Sequence, residues 1–292
     1  MVNRDMCPTT EYSVSSIGQC ADQLLREERL ANILGITSRG IFLHTQFGKV
    51  LFLTGEPWLG PLTINLSSSF TSGNLQIGDT ARLAYPRLIL STFSVVVAED
   101  AGVWRPAPIQ FKTRNYPDIV KRAEQLSAGL LDEGQSSRFL DILKIATDEK
   151  TNMSEKQIQM RVWLLSDEQN NNKDQAGFLQ RFLGLGAGLT PAGDDFIVGY
   201  LLTYYYLQSE TSEEAQYILE EARSKTTALS TCLIGCAAKG SADERLMDTL
   251  RFIAMGVADS AQVKKELLSY GSSSGIESMA GILAAIYLHS AK

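Results

Sequence analysis

The sequence predicts an α+β protein, with a sheet-rich N-terminal unit over residues 1–110 followed by an all-helical domain over 111–292. Three observations predict it. From Gly40 the apolar residues fall in short β-branched and aromatic runs separated by Gly, Pro, Asn and Ser, which is how a sheet with tight turns reads. After Pro106 and Pro108 the apolar spacing lengthens to three and four, the period of an amphipathic helix. The 292 residues are 44% hydrophobic and 21% charged. A chain of that size can bury roughly 75% of the surface it exposes when unfolded, as one large domain or two modest ones.

Taken in order, residues 14–34 read as a helix, with Val14, Ile17, Leu24, Leu25 and Leu30 among charged positions. Strands are expected over 40–50, 51–53, 62–66, 81–83, 88–90 and 93–98. Helical spacing resumes with Ile119, Ala123, Leu126, Leu130 and Leu131, then Phe139, Ile142, Leu143 and Ile145. Glu-Gln-Asn-Asn-Asn-Lys-Asp at 168–174 reads as a solvated loop. Beyond it, helices are predicted near 174–183, 193–208, 212–224, 227–238, 242–257, 260–269 and 275–290. No repeat of fixed period is visible.

Twenty-seven Lys and Arg against 33 Asp and Glu leave a net charge of −6. Such a chain has no net attraction for a phosphate backbone, so a nucleic-acid partner of the electrostatic kind is excluded. The longest greasy segment, 196–207, contains Gly199 and Thr203 and falls well short of the ~20 residues that span a bilayer. Asp5 and Glu11 interrupt any apolar leader, so the expected location is cytoplasmic, away from membranes. Four cysteines are too few for a disulfide framework. Cys232 and Cys236 stand one helical turn apart, but His44 and His289 are distant in sequence, so the pair reads as small inward-facing residues and no metal site is assigned.

The chemistry concentrates in Gly184-Leu-Gly-Ala-Gly-Leu-Thr-Pro-Ala-Gly-Asp-Asp195. Gly184, Gly186 and Gly188 let a ligand approach the main chain. Thr190 fits an N-cap and Pro191 a first helical position, so a helix is expected to start here with N–H groups facing the loop, the makings of an anion site. Neither the P-loop lysine nor the strand-turn-helix setting of a dinucleotide fold accompanies it, and nothing in the chain names a cofactor.

Asp194 and Asp195 lie in the first turn of that helix. Each can simply complement the helix dipole, worth ~0.3–1 kcal/mol. Adjacent carboxylates point about 100° apart on a helix, so one can serve the dipole while the other enters the cleft as a base, a metal ligand or an acceptor for substrate amide protons. Two further helix starts carry similar signals. Lys225-Thr-Thr-Ala-Leu-Ser-Thr231 brings Thr227 and Ser230, and Gly271-Ser-Ser-Ser-Gly-Ile-Glu277 brings Ser273, Ser274, Gly275 and Glu277. Each alone is an ordinary N-cap; three in one helical domain point to a shared polar site that includes Gly193.

Those three strings, with Ala-Ala-Lys-Gly at 237–240 and Met-Ala-Gly-Ile-Leu at 279–283, resemble the bacterial family of the H subunit of oxamate carbamoyltransferase. The resemblance covers the C-terminal half in order; in the N-terminal half it is limited to 42–53 and 60–62. The chain departs from the family's usual residues at Ala187, Ser272, Ser273 and Glu277, the last keeping its charge one methylene further out.

The resemblance implies a subunit of a multi-protein enzyme of allantoin and purine degradation that transfers a carbamoyl group between oxalurate or oxamate and phosphate. Its expected partners are other subunits and a small anionic substrate such as carbamoyl phosphate or oxamate. Carbamoyl transfer needs donors for phosphate and for a developing oxyanion, and helix starts and hydroxyls can supply both. The Ser-x-Arg-Thr loop of aspartate and ornithine carbamoyltransferases is absent. Near the motifs the only evident cations are Lys225 and Lys239, so the chain is expected to be inactive alone, with Arg39, Arg114 and Arg181 the first places to look for a missing charge. A non-catalytic anion-binding or regulatory scaffold, or a metal-dependent hydrolase using Asp194 and Asp195, are the alternatives.

Overall fold

In a computed structural model the described residues are 10–111, 115–134, 136–165, 178–208 and 213–289. They form an α+β protein that divides between Pro106 and Ala107 into two compact units.

The first unit is a closed barrel. Strands β1 (Thr10–Gly18), β2 (Leu30–Thr37), β3 (Gly40–Thr45), β4 (Val50–Thr54), β5 (Thr63–Leu66), β6 (Thr80–Ala84), β7 (Arg87–Ile89) and β8 (Phe93–Val96) follow the order β5-β4-β3-β2-β6-β7-β8-β1. The barrel closes where β1 returns to β5, with Val14 opposite Leu66 and Ile17 opposite Ile64. Strand β9 (Gly102–Trp104) lies parallel to the second half of β1. Closure leaves no long free edge. Ile17, Ile33, Ile41, Leu43, Leu51, Leu53, Ile64 and Leu83 fill the interior, and the short helix α1 (Gln19–Glu27) adds Ala21 and Leu25.

The helix expected over 14–34 is therefore corrected to strand, short helix and strand. The cause is a register shift between Val14 and Ser16 against β5. One extra residue lets Val14 and Ile17, three apart, both face the interior, which imitates helical spacing. The expected strand 40–50 is a hairpin: β3 ends at Thr45, Gly48 turns the chain with a positive φ of 74°, and β4 begins at Val50. The sequence reading missed β9.

The second unit is helical. It contains α2 (Tyr116–Leu131), α3 (Leu140–Thr147), α4 (Met153–Leu165), α5 (Ala192–Gln208), α6 (Glu213–Lys225), α7 (Ala228–Ala237), α8 (Glu244–Met255), α9 (Ser260–Leu268) and α10 (Ser274–His289). Helix α4 was missed. The expected helix near 174–183 is a 3₁₀ turn over Leu179–Phe182, while its first residues and the 168–174 loop lie outside the described residues.

Helices α5 and α10 are buried nearly all round and form the centre of this unit. They run side by side in the same direction. The Ser278 hydroxyl donates to the Asp195 carbonyl at 3.2 Å, and further along the Tyr200 hydroxyl meets His289 Nε2 at 2.7 Å. The backbones touch: a Cβ on Gly199 would lie 2.0 Å from the Ser278 carbonyl oxygen, and one on Gly281 2.0 Å from that of Phe196. Parallel packing brings the two N-termini to one end.

Candidate functional site

Three helix starts meet around Asp194 and Asp195. The chain leaves the 3₁₀ turn, passes through the glycine loop and enters α5, whose first regular bond runs from the Asp195 N–H to the Pro191 carbonyl at 3.2 Å. Pro191 is thus the cap, one residue later than the sequence reading placed it. The Gly193 N–H bonds back to the Leu185 carbonyl at 2.8 Å, so the loop itself takes up a donor that the sequence reading offered to a ligand.

Asp194 is a brace. Its Oδ1 accepts from the Gly184 N–H at 2.8 Å, and its Oδ2 accepts from the Thr226 hydroxyl just before α7. Burial, first among the causes, pushes its pKa above the ordinary carboxylate value, against the Gly184 N–H and the Thr226 and Ser230 hydroxyls that favour the charge. Thr227 completes the join: its Oγ1 accepts from the Ser230 N–H at 3.0 Å as the α7 cap, and its hydroxyl donates to the Leu189 carbonyl at 2.6 Å. Ser230 reaches the same carbonyl at 3.5 Å. Gly184 and Gly193 serve the same joint: a Cβ on the first would lie 2.3 Å from the Lys225 carbonyl oxygen, and one on the second 1.9 Å from that of Phe182.

Asp195 faces the other way, toward α10. It is 1% exposed, and among the described residues its Oδ2 has no hydrogen-bond partner. Burial pushes its pKa up to about 8. The Ser274 hydroxyl opposes that shift, the charges of Glu277 and Asp194 add to it, and the Thr190 hydroxyl opposes it again. Burying an ionised carboxylate without full hydrogen bonding is costly, so the group keeps its proton at neutral pH. What faces the site is a neutral carboxylic acid, able to donate a hydrogen bond.

Around it stand the half-buried hydroxyls of Thr190 and Ser274 and the buried Glu277. Glu277 is also raised by burial, with Ser273, Ser137 and Arg138 favouring its charge. Ser273 is the cap of α10, its carbonyl accepting from the Glu277 N–H at 3.2 Å. Gly275 packs where a Cβ would lie 2.1 Å from the Leu267 carbonyl oxygen. Gly186 and Gly188 lie exposed in the loop.

The predicted residues thus separate into two groups. Asp194, Gly184, Gly193, Thr227 and Ser230 clamp the glycine loop to α7. Asp195, Thr190, Ser273, Ser274 and Glu277 gather at the parallel starts of α5 and α10. Sequence reasoning passed over Thr226, though it stood in the hydroxyl-rich string, and over Ser137 and Arg138. Ser136-Ser137-Arg138 ahead of the apolar run of α3 was a visible helix-start signal.

Lys225 pairs with Glu221 at 2.7 Å and Lys239 is exposed; Arg39 belongs to the barrel unit and Arg114 lies outside the described residues. Among the described residues, no three His, Cys, Asp or Glu side chains are grouped to hold a metal ion, and no helix is long and apolar enough to cross a membrane.

Residues 182–286 match the family model described as oxamate carbamoyltransferase subunit AllH. The match falls on the stretch whose motifs carry the resemblance, from the glycine loop through most of α10. Neither the curated proteins nor the solved structures offer a match.

Proposed function

We propose that the helical unit is the anion-binding part of an oxamate carbamoyltransferase-like enzyme of the cytoplasm, acting in allantoin degradation on oxamate or oxalurate and on phosphate or carbamoyl phosphate. One observation carries this reading: a buried carboxylic acid, Asp195, with an unpartnered oxygen beside two hydroxyls where the α5 and α10 starts meet. An ionised Asp at that point would repel an anion. A protonated one donates to it, with the Thr190 and Ser274 hydroxyls holding the acid in place, while the positive ends of two parallel helices lower the cost of negative charge. In carbamoyl transfer the same acid can hold a proton against the oxyanion that develops as the carbamoyl carbon is attacked. Asp194 and its clamp keep Thr190 and Asp195 in place.

The reading fixes a pH dependence. Anion affinity is present while Asp195 is protonated and is lost as pH rises through about 8. Calorimetric titration of the purified chain with oxamate, carbamoyl phosphate and phosphate, at pH ~6.5 and pH ~9, tests it. Binding at the lower pH that weakens about tenfold at the higher is expected, because only about a tenth of the molecules keep the Asp195 proton at pH ~9. Equal affinity at both pH values would overturn it. The chain works with other subunits, so carbamoyl transfer is expected only when they are present; robust turnover by the chain alone would overturn that part.

A further inference from the structure

We propose that Arg138 supplies the positive charge that receives the anionic end of the ligand at the Asp195 site, an inference that rests on the functional reading just given. Residues on either side of Arg138 are anchored to the site. Phe139, 1% exposed, stacks on Phe196 with ring centroids 4.8 Å apart and planes 8° from parallel, and Phe196 immediately follows Asp195. The Ser137 hydroxyl favours the charge on Glu277, and Ser137 Oγ also accepts from the Phe139 N–H at 3.2 Å. The backbone of Arg138 is therefore held at the edge of the site, while its side chain is exposed and makes no ion pair among the described residues.

The other cations of this region are committed. Arg245 grips Asp243 through Nε at 2.7 Å and Nη2 at 2.8 Å, with Nη1 on the Ser269 carbonyl at 3.0 Å. Lys225 is paired with Glu221, and Lys156 with Glu124 at 2.7 Å. Arg181 lies over the Phe182 ring at 4.8 Å. A guanidinium presents a planar fork that matches the two oxygens of a carboxylate or phosphate. That fork joins the proton of Asp195 in a site for a small oxyanion, where it also favours the charge on Glu277. The cation need not come from another subunit.

Titration of the purified chain with inorganic phosphate and with oxamate, for wild type, Arg138→Gln, Arg138→Lys and Asp195→Asn, tests the assignment. Arg138→Gln is expected to weaken binding about tenfold or more and to flatten its salt dependence, with Arg138→Lys recovering part. The loss of affinity near pH 8 should persist in Arg138→Gln, since Asp195 still titrates. If Arg138 serves only as a counter-charge for Glu277, Arg138→Gln lowers the melting temperature but binds within about twofold of wild type; that result overturns the proposal. Failure of the two readings is distinguishable. Loss of the pH dependence in Asp195→Asn with Arg138→Gln binding normally leaves the site reading standing without Arg138, weaker binding in Arg138→Gln with a wild type indifferent to pH keeps Arg138 and removes the acid, and a wild type that binds neither anion defeats both.

Discussion

Replacing Asp195 by Asn should make the protein more stable, increasingly so as pH rises. The folded chain holds the Asp195 proton up to about pH 8, whereas an unfolded Asp releases it near 3.8. Between those values the native state binds more protons than the unfolded one, so this group's contribution to stability falls as pH rises from about 4 to about 8 and is flat beyond. Each tenfold change in proton activity is worth about 1.4 kcal/mol, which sets a ceiling of about 4 kcal/mol at pH 7. Water entry and local relaxation reduce that, so we expect about 2–4 kcal/mol.

Asn has nearly the shape of the protonated acid and never ionises. The assay is urea unfolding of wild type and Asp195→Asn at pH ~5, ~7 and ~8.5, reading the difference between the two curves so that every other titrating group cancels. Near pH 5 the variant should lead by at most about 1.6 kcal/mol; by pH 8.5 it should lead by several kilocalories and, as a neutral donor, keep the anion affinity that wild type loses. Gaining stability while the pH dependence of binding disappears marks a titrating group kept for function at a cost to the fold. A stability difference that does not change with pH would refute the protonated buried acid.

Asp194→Ala should behave in the opposite way, costing about 2–3 kcal/mol in denaturant unfolding because the Gly184 N–H and the Thr226 hydroxyl lose their acceptor; a loss under about half a kilocalorie would deny the brace. Thr227→Ala removes the α7 cap and should cost about 1 kcal/mol while leaving phosphate affinity, measured by calorimetry, within about twofold of wild type. Gly199→Ala drives a methyl into the Ser278 carbonyl and should part α5 from α10, destabilising by about 3 kcal/mol or more and lowering anion affinity with it. A fully stable Gly199→Ala protein would show that the two helices do not touch backbone to backbone.

The sequence by itself determined what was local. Short β-branched runs marked most of the barrel strands, the three-and-four spacing marked most of the helices, and Gly-Leu-Thr-Pro-Ala-Gly-Asp-Asp marked a helix start with two acids on it. These features depend on neighbours a few residues apart, so periodicity and turn chemistry expose them. Where a long-range pairing changed the local period, the reading failed: the register shift of β1 against β5 gave Val14 and Ile17 a helical interval inside a strand.

Only the tertiary structure decided which acid does what. Asp194 and Asp195 are identical and adjacent, yet one reaches the loop and α7 while the other turns into the α5–α10 seam. That separation follows from parallel packing of two helices whose glycines, 199 and 281, meet the opposite backbone, a contact between residues about eighty positions apart. Arg138 shows the same limit. Its sequence neighbours, Ser136, Ser137 and Phe139, say only that a helix begins nearby. The stack of Phe139 on Phe196 ties that turn to the start of α5, because aromatic burial between distant segments, and not sequence spacing, settles where the turn lies.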